Sequence, residues 1–374
     1  MTAPTAEAQP TLVLSPEHED FRDSLRGFLE RHAPESAVRA AMATGAHDGA
    51  LWSRLSEELG LPGLTIPERL DGAGYGPLDA VPAFEELGRA LAPVPYFETV
   101  ALGASALLES GDEETAPAHL RWIASGEATA TLAWTGPDGR SVAVEATPSH
   151  GGHVLHGQAS FVPGGAKANL LIVAARLDGR IALFATFGDS AALTRAPMRS
   201  LDELRPLAAL AFDGTPAALL GDPAGGELAL SRTLDRARAA LAAEQVGGAG
   251  KLLELAVAYA KDRVQFGRPI GSYQAIKHRC ADMLCALESA RALAYYANWA
   301  AAEAPDELPA AASAAKVACS DAYAYIAQET IEVHGGIGFT WEHPAHLYFK
   351  RAHSSRVLLG TPAEQRARFA DVAG

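Results

Sequence analysis

Two short strings concentrate the chemistry this chain could perform. The first runs Arg263-Val-Gln-Phe-Gly-Arg-Pro-Ile-Gly-Ser-Tyr-Gln274. Tyr259 to Arg263 closes a helical run, Gly267 and Gly271 break it, and a new helix begins near Ser272. Arg263 and Arg268 therefore stand beside a helix break, where guanidiniums can receive phosphate oxygens through paired hydrogen bonds. A solvated helix end with favourable dipole contacts has the same signature. The second string is Glu332-Val-His-Gly-Gly-Ile-Gly-Phe-Thr-Trp-Glu342-His. Consecutive glycines leave backbone amides open to a nucleotide, although glycine after a helix also serves as a plain C-cap. It is not a dinucleotide fingerprint, because no strand precedes Gly335 and no βαβ unit surrounds it. His334, His343, His346 and His353 match no strong zinc spacing, so no metal site is expected.

The elements that must carry these strings change character twice. Residues 1–14 read as a loose tail. Ser15 then caps a helix that Pro16 opens, and Phe21, Leu25, Phe28 and Leu29 share one face. Helical spacing returns over Ala50–Leu59, Asp79–Leu91, Thr99–Glu109 and Ala116–Ala124, with a glycine-rich loop between the first two. From about residue 127 the chain shifts to short alternating runs such as TATLAW, NLLIVAAR and RIALFATF, separated by turns. From Ser231 the pattern is helical again, over Leu234–Lys261, Ser272–Ala304 and Pro309–His334. The expected division is a tail over 1–14, a helical domain over 15–126, a β domain over 127–230 and a helical bundle over 231–374. Strands and helices do not alternate, which excludes a parallel α/β sheet.

Composition bounds the rest. The 374 residues are 48% apolar, enough for a sizeable core, and the formal charge is −14. No basic patch offsets that charge, so a nucleic-acid partner is not expected. Cys280, Cys285 and Cys319 form no disulfide framework, which suits a reducing compartment. The start lacks the basic, then apolar, pattern of a signal peptide, and no window nears 18 uninterrupted apolar residues. A cytoplasmic chain without a membrane span is expected.

With their surroundings, the two strings resemble the acyl-CoA dehydrogenase family over nearly the whole chain. Leu59-Gly-Leu-Pro-Gly-Leu-Thr-Ile-Pro-Glu68 followed by Gly72-Ala-Gly-Tyr-Gly76 is similar to the family's N-terminal loop. Glu86-Leu-Gly-Arg-Ala-Leu-Ala-Pro-Val-Pro95 is similar to a second segment, Arg263 to Gly267 with Gln274 to a third, and Gly335-Gly-Ile-Gly338 to a fourth. The resemblance implies an acyl-CoA dehydrogenase-like fold: a helical N-terminal domain, a middle β-barrel-like domain and a C-terminal four-helix bundle. It also implies FAD in a cleft shared between subunits and α,β-dehydrogenation of an acyl-CoA thioester. A glutamate would take the α proton, and an electron-transferring flavoprotein would accept the electrons. By the same resemblance, Arg263, Phe266 and Gln274 contact FAD across the subunit interface. Gly335 and Gly336 lie near its adenosine half, Thr361 and Thr135 near the flavin, and Arg238 borders the active site.

The chain also departs from the family pattern. The usual catalytic glutamate precedes Gly-Thr, and here that string is Leu358-Leu359-Gly360-Thr361. A family variant places it just before Arg238, and that residue is Ala237. Leucine and alanine accept no proton. Glu244 remains as a candidate base, about 10 Å further along the same helix face, or else as a polar partner within the bundle. Asp235 is placed to pair with Arg238 at i,i+3. Phe161-Val162-Pro163 stands where members often carry Trp-Ile-Thr, so a hydroxyl and a backbone donor toward the flavin are lost. Glu332 stands where a neutral glutamine would face the cofactor. The expectation is a base-lacking chain paired with a homologous chain in an α2β2 assembly acting on a steroid-like or other bulky acyl-CoA. The alternatives are an active homo-oligomer with a displaced base, a redox-silent binding or scaffolding protein, and an oxygen-using flavoenzyme.

Overall fold

Ser15 accepts a hydrogen bond from the His18 N–H, and the His18 imidazole accepts one from Ser15 in return, so the first helix starts as its sequence implies. The structure, a computed structural model, describes residues 14–45 and 47–373. Of the expected tail, residues 1–13 lie outside the described residues, and Leu14 is buried against the core. The N-terminal region comprises α1 (Pro16–His32), α2 (Glu35–Thr44), α3 (Gly49–Leu59), α4 (Val81–Ala90), a π-helical turn over Phe97–Ala104, α5 (Ser105–Glu109) and α6 (Ala116–Ala124). The expected helix over Thr99–Glu109 is thus a π-helical segment running into a short α-helix.

Seven strands follow: β1 (Ala130–Ala133), β2 (Val144–Ser149), β3 (Gly152–Pro163), β4 (Leu170–Leu177), β5 (Arg180–Phe187), β6 (Leu193–Met198) and β7 (Leu207–Leu220). Their order is β1-β4-β2-β3-β7-β5, with β6 on β7, and the β4–β5 pairing closes the sheet on itself. Closure through β4, β2, β3, β7 and β5 removes their free edges, while β1 and β6 each keep one partner. Leu155, Val173, Phe184, Leu210 and Phe212 fill the interior as a core of their own.

The C-terminal region begins with α7 (Gly226–Asp262), which starts before the expected Ser231. A small hairpin of β8 (Val264–Gln265) and β9 (Arg268–Pro269) follows, then α8 (Gln274–Glu303), α9 (Leu308–His334), α10 (Ala345–Val357) and α11 (Pro362–Ala373). The helices α7, α8 and α9 pack on one another, and α10 and α11 lie against α9. Alanines at 237, 239, 240, 242 and 243 are buried along α7 and let its neighbours approach. The N-terminal helices share one continuous core with this bundle. Glycine makes that junction possible. A Cβ on Gly247 of α7 would sit 1.8 Å from the Glu85 carbonyl oxygen of α4, and one on Gly88 would sit 2.2 Å from that of Glu244. Among the described residues, no helix is long and apolar enough to cross a membrane.

Candidate functional site

The expected site residues fall into two groups at opposite ends of α7. Arg238 lies in its first half. Its Nε donates to the Leu359 carbonyl at 3.1 Å and its Nη1 to Asp235 Oδ1 at 2.7 Å. Burial lowers the Arg238 pKa, and Asp235 works against that shift. Asp235 is held from a second side by Arg368 of α11, at 2.8 Å. The Leu359 carbonyl takes another hydrogen bond from Gln365, at 3.0 Å. This strapped turn carries Leu359 at φ 61, with its side chain tucked into the core. Ala237 is fully buried. Both positions where a base was sought are therefore apolar and closed.

Thr361 follows the turn and opens α11. Its Oγ1 accepts from the Glu364 N–H, while the Glu364 carboxylate accepts from the Thr361 N–H and O–H, a reciprocal cap. Arg140 reaches Glu364 at 3.8 Å and ties the loop after β1 to this helix start. In the barrel, Thr135 Oγ1 donates to the Ser160 carbonyl at 2.9 Å. The β3–β7 register shifts between Ala159 and Val162, and Phe161 sits in that irregularity at φ 59, partly exposed. Pro163 offers only its carbonyl, which accepts from Thr131 at 2.7 Å.

Glu244 is not placed as a base. Its Oε1 accepts from Arg351 Nη1 at 3.1 Å, and its Oε2 is bound by Arg205 Nη2. Arg351 also binds Asp202, and Arg205 lies over the Phe97 ring. Burial opposes ionisation of Glu244, yet Arg205 and Arg351 hold its carboxyl below the usual carboxylate range. A carboxylate with both oxygens committed and a low pKa is a poor proton acceptor. The bland expectation, a polar partner within the bundle, is the one that fits. Sequence reading missed Arg205, Arg351 and Asp202, because their shared partnership spans distant segments. It also missed Lys316, whose Nζ donates to Ser320 Oγ and to the Ser355 and Arg356 carbonyls at the end of α10. Burial, and after it Arg238, push the Lys316 amine down to about 7.

The other group stands 25 residues further along α7, about 37 Å at helical rise. Arg263 leaves the helix, and Phe266 forms the hairpin tip at φ 52 with 93% of its surface exposed. Arg268 stacks over Tyr273 at 4.0 Å, and the exposed Gln274 begins α8. Glu332, Gly335 and Gly336 are exposed at the end of α9. Gly335 adopts φ 62, and nothing lies within 4 Å of a Cβ built on either glycine. His334 stacks on Tyr259 at 4.4 Å and lies 4.2 Å from the His343 ring, so these histidines pack as aromatics. Phe339 and Trp341 beside them are exposed.

Residues 15–127 match the family description "Acyl-CoA dehydrogenase, N-terminal domain", and residues 224–373 match "Acyl-CoA dehydrogenase, C-terminal domain". Acyl-CoA dehydrogenase IpdE2 of Mycolicibacterium smegmatis is 38% identical over 360 residues, covering 95% of this chain and 98% of that protein. The chain belongs to the acyl-CoA dehydrogenase family. Within that family, Acyl-CoA dehydrogenase FadE34 of Mycobacterium tuberculosis is 37% identical over 93% of this chain but only 47% of its own length. A chain of the solved ChsE4-ChsE5 complex from Mycobacterium tuberculosis superposes with a TM-score of 0.89 at 27% identity, covering 97% of this chain and 98% of that one. The fold is that of the acyl-CoA dehydrogenases: a helical N-terminal region, a barrel-like centre and a C-terminal bundle.

Proposed function

We propose that this chain is the base-lacking subunit of a flavin-dependent acyl-CoA dehydrogenase built from two different homologous chains. One observation carries the reading. Leu359 and Ala237 are apolar and sealed, while the hairpin and glycine loop at the far end of α7 stand open. Abstracting a proton beside a thioester requires a carboxylate within hydrogen-bonding reach. Neither position offers one, and Glu244 is committed to Arg205 and Arg351.

The open end fits a flavin nucleotide held together with a second chain. Arg263 and Arg268 suit phosphate oxygens, and Phe266 suits a planar ring. The uncovered amides at Gly335 and Gly336 suit a close approach that a side chain would obstruct. Gln274 adds an exposed amide at the start of α8. Glu332 also stands at this end, so its carboxylate must turn away from phosphates or meet an arginine. At the opposite end, Thr135, Phe161 and Thr361 border the place where a neighbour's nucleotide would end. The roughly 37 Å between Arg238 and Arg263 means that one nucleotide meets both groups only when they come from different chains. When bound, FAD supplies the two-electron acceptor for α,β-dehydrogenation of an acyl-CoA thioester. The electrons would pass to an electron-transferring flavoprotein.

Two relatives support pairing with a different chain. The solved ChsE4-ChsE5 relative is a complex of two differently named chains. FadE34 is about twice as long as the segment it shares with this chain, which leaves room for a second unit in one polypeptide. The test is purification of the chain alone and together with a homologous chain that carries the glutamate. The expected outcome is flavin uptake, with turnover by an artificial electron acceptor only when both chains are present. Clear turnover by this chain alone would overturn the reading.

A further inference from the structure

A cavity of about 130 Å³ lies between α4, the π-helical turn, α5, α7 and α8. Its walls are mostly apolar, with Phe84, Val100, Ala101, Leu108 and Ala240 among them. That volume is close to one ring, since an apolar cavity of about 150 Å³ admits benzene. Ala240 lies one helical turn beyond Ala237.

Thr65, Tyr75, Ser105, Glu109, Arg236 and Asn298 interrupt the apolar lining, and the last two matter most here. Asn298 is 2% exposed, and its Nδ2 donates to the Ala239 and Ala294 carbonyls at 2.9 and 2.8 Å. Two carbonyl neighbours fix the amide orientation, because only nitrogen can face them. Oδ1 is therefore the remaining acceptor, and among the described residues no donor reaches it. Arg236, which also lines the cavity and is partly exposed, pairs through Nε with Glu109 at 2.6 Å. Among the described residues no acceptor takes the Arg236 Nη hydrogens. The cavity thus offers the Asn298 acceptor and a guanidinium donor on walls that are mostly apolar but also carry the Thr65, Tyr75 and Ser105 side chains.

We propose that this cavity takes the distal end of an acyl group, an apolar body about the size of one six-membered ring that carries a single hydroxyl, and that Asn298 selects for that hydroxyl. A hydroxyl donates to Asn298 Oδ1 and accepts from Arg236. An oxo group at the same place sets two acceptors against each other, and a plain ring leaves Oδ1 unpaired. The acyl assignment rests on the function proposed above, through the neighbouring Ala237; the hydroxyl preference rests on the cavity alone. With alanine at that position, the group is held by this chain without being dehydrogenated there.

The test is calorimetric titration of the full chain with three CoA thioesters: 3-cyclohexylpropanoyl-CoA and its 4-hydroxy and 4-oxo ring derivatives. Flavin content is read by absorbance on the same sample. The hydroxy compound should bind about tenfold more tightly than either of the others. Asn298→Leu should bring the hydroxy and unsubstituted compounds to equal affinity. Because Asn298 also ties α8 to α7, a second variant guards the test. Ala240→Leu fills the cavity without touching those bonds and should abolish binding of all three compounds in a folded protein. Equal affinities in the wild-type chain, a hydroxyl preference that survives Asn298→Leu, or unchanged binding by Ala240→Leu would overturn the proposal. A chain that takes up no flavin yet prefers the hydroxy compound would sink the dehydrogenase reading and leave this one standing. A flavin-loaded chain with no preference would do the reverse.

Discussion

At the Arg238 end of α7, Asp235 is held by two arginines, the Leu359 carbonyl takes two hydrogen bonds, and Glu244 is gripped from both sides. At the Arg263 end, Phe266 stands 93% exposed, and Gly335 and Gly336 present open backbone. At the first end the carboxylates and the Leu359 carbonyl are taken up by the chain's own side chains. The second carries aromatic rings, guanidiniums and amides that the chain leaves in contact with water. A buried ion pair has no net stabilising effect unless its geometry is good, whereas an exposed ring and open amides gain energy once a ligand or second chain covers them. Stability and ligand binding should therefore separate along one helix.

The sharpest way to break that contrast is at Glu244. Glu244→Ala leaves Arg205 and Arg351 buried without their shared carboxylate. The expected loss is about 3–5 kcal/mol, seen as a midpoint lowered by roughly 10 °C in thermal unfolding. Phe266→Ala in the same assay should stay within about 0.5 kcal/mol of the parent. Equal losses in the two variants would dissolve the distinction between the ends. The pH dependence follows from the same network. The Glu244 carboxyl lies below its ordinary 4.5 in the folded chain. Its contribution is therefore fully present above that pH and is lost as pH falls through the folded value. Unfolding followed from pH 6 down to pH 3 should thus show a shallower acid loss in Glu244→Gln than in the parent.

The open end should answer to a different measurement. Arg263→Ala and Phe266→Ala are each expected to weaken flavin binding about tenfold, which corresponds to about 1.4 kcal/mol. Thermal unfolding of the flavin-free protein should not move. Titration of the paired chains with FAD, followed by quenching of flavin fluorescence, checks the first part. A variant that lost folding stability in step with flavin affinity would assign the hairpin to the core rather than to the ligand.

Much of this contrast was readable from local pattern. Ser15-Pro16, the switch of period near residue 127 and the Asp235–Arg238 spacing each act within a few residues, and each appears where expected. Gly267 and Gly271 marked the break between two helices, which the chain builds as an unanticipated hairpin that exposes Phe266. The sealed end was less legible, because its partners are remote. Arg205 lies 39 residues from Glu244 and Arg351 lies 107 residues away, and no helical or strand period links them. Glu244 consequently resembled a displaced base until its neighbours were in view. The helices α2, α10 and α11 were not anticipated. In α10, histidines, lysine and arginines are mixed among Leu347, Tyr348 and Phe349, which blurs the apolar stripe. Barrel closure through β4, β5 and β7 is likewise a long-range pairing that alternation alone does not specify.

Thr361 offers the finest division between the two kinds of role. The proposed function would bring it near the flavin, while its hydroxyl hydrogen is engaged by Glu364 and its oxygen accepts the Glu364 N–H at 3.3 Å. A reciprocal cap of this kind contributes about 1 kcal/mol. Thr361→Val removes the hydroxyl and keeps the shape, so unfolding in urea should show a loss of that order. Thr361→Ser keeps the cap and should lie within a few tenths of a kcal/mol of the parent. Since Glu364 already takes the hydroxyl hydrogen, the valine variant should change flavin affinity by less than about threefold, or about 0.7 kcal/mol. A larger drop in flavin affinity with unchanged urea stability would move Thr361 from the sealed end's framework to the ligand.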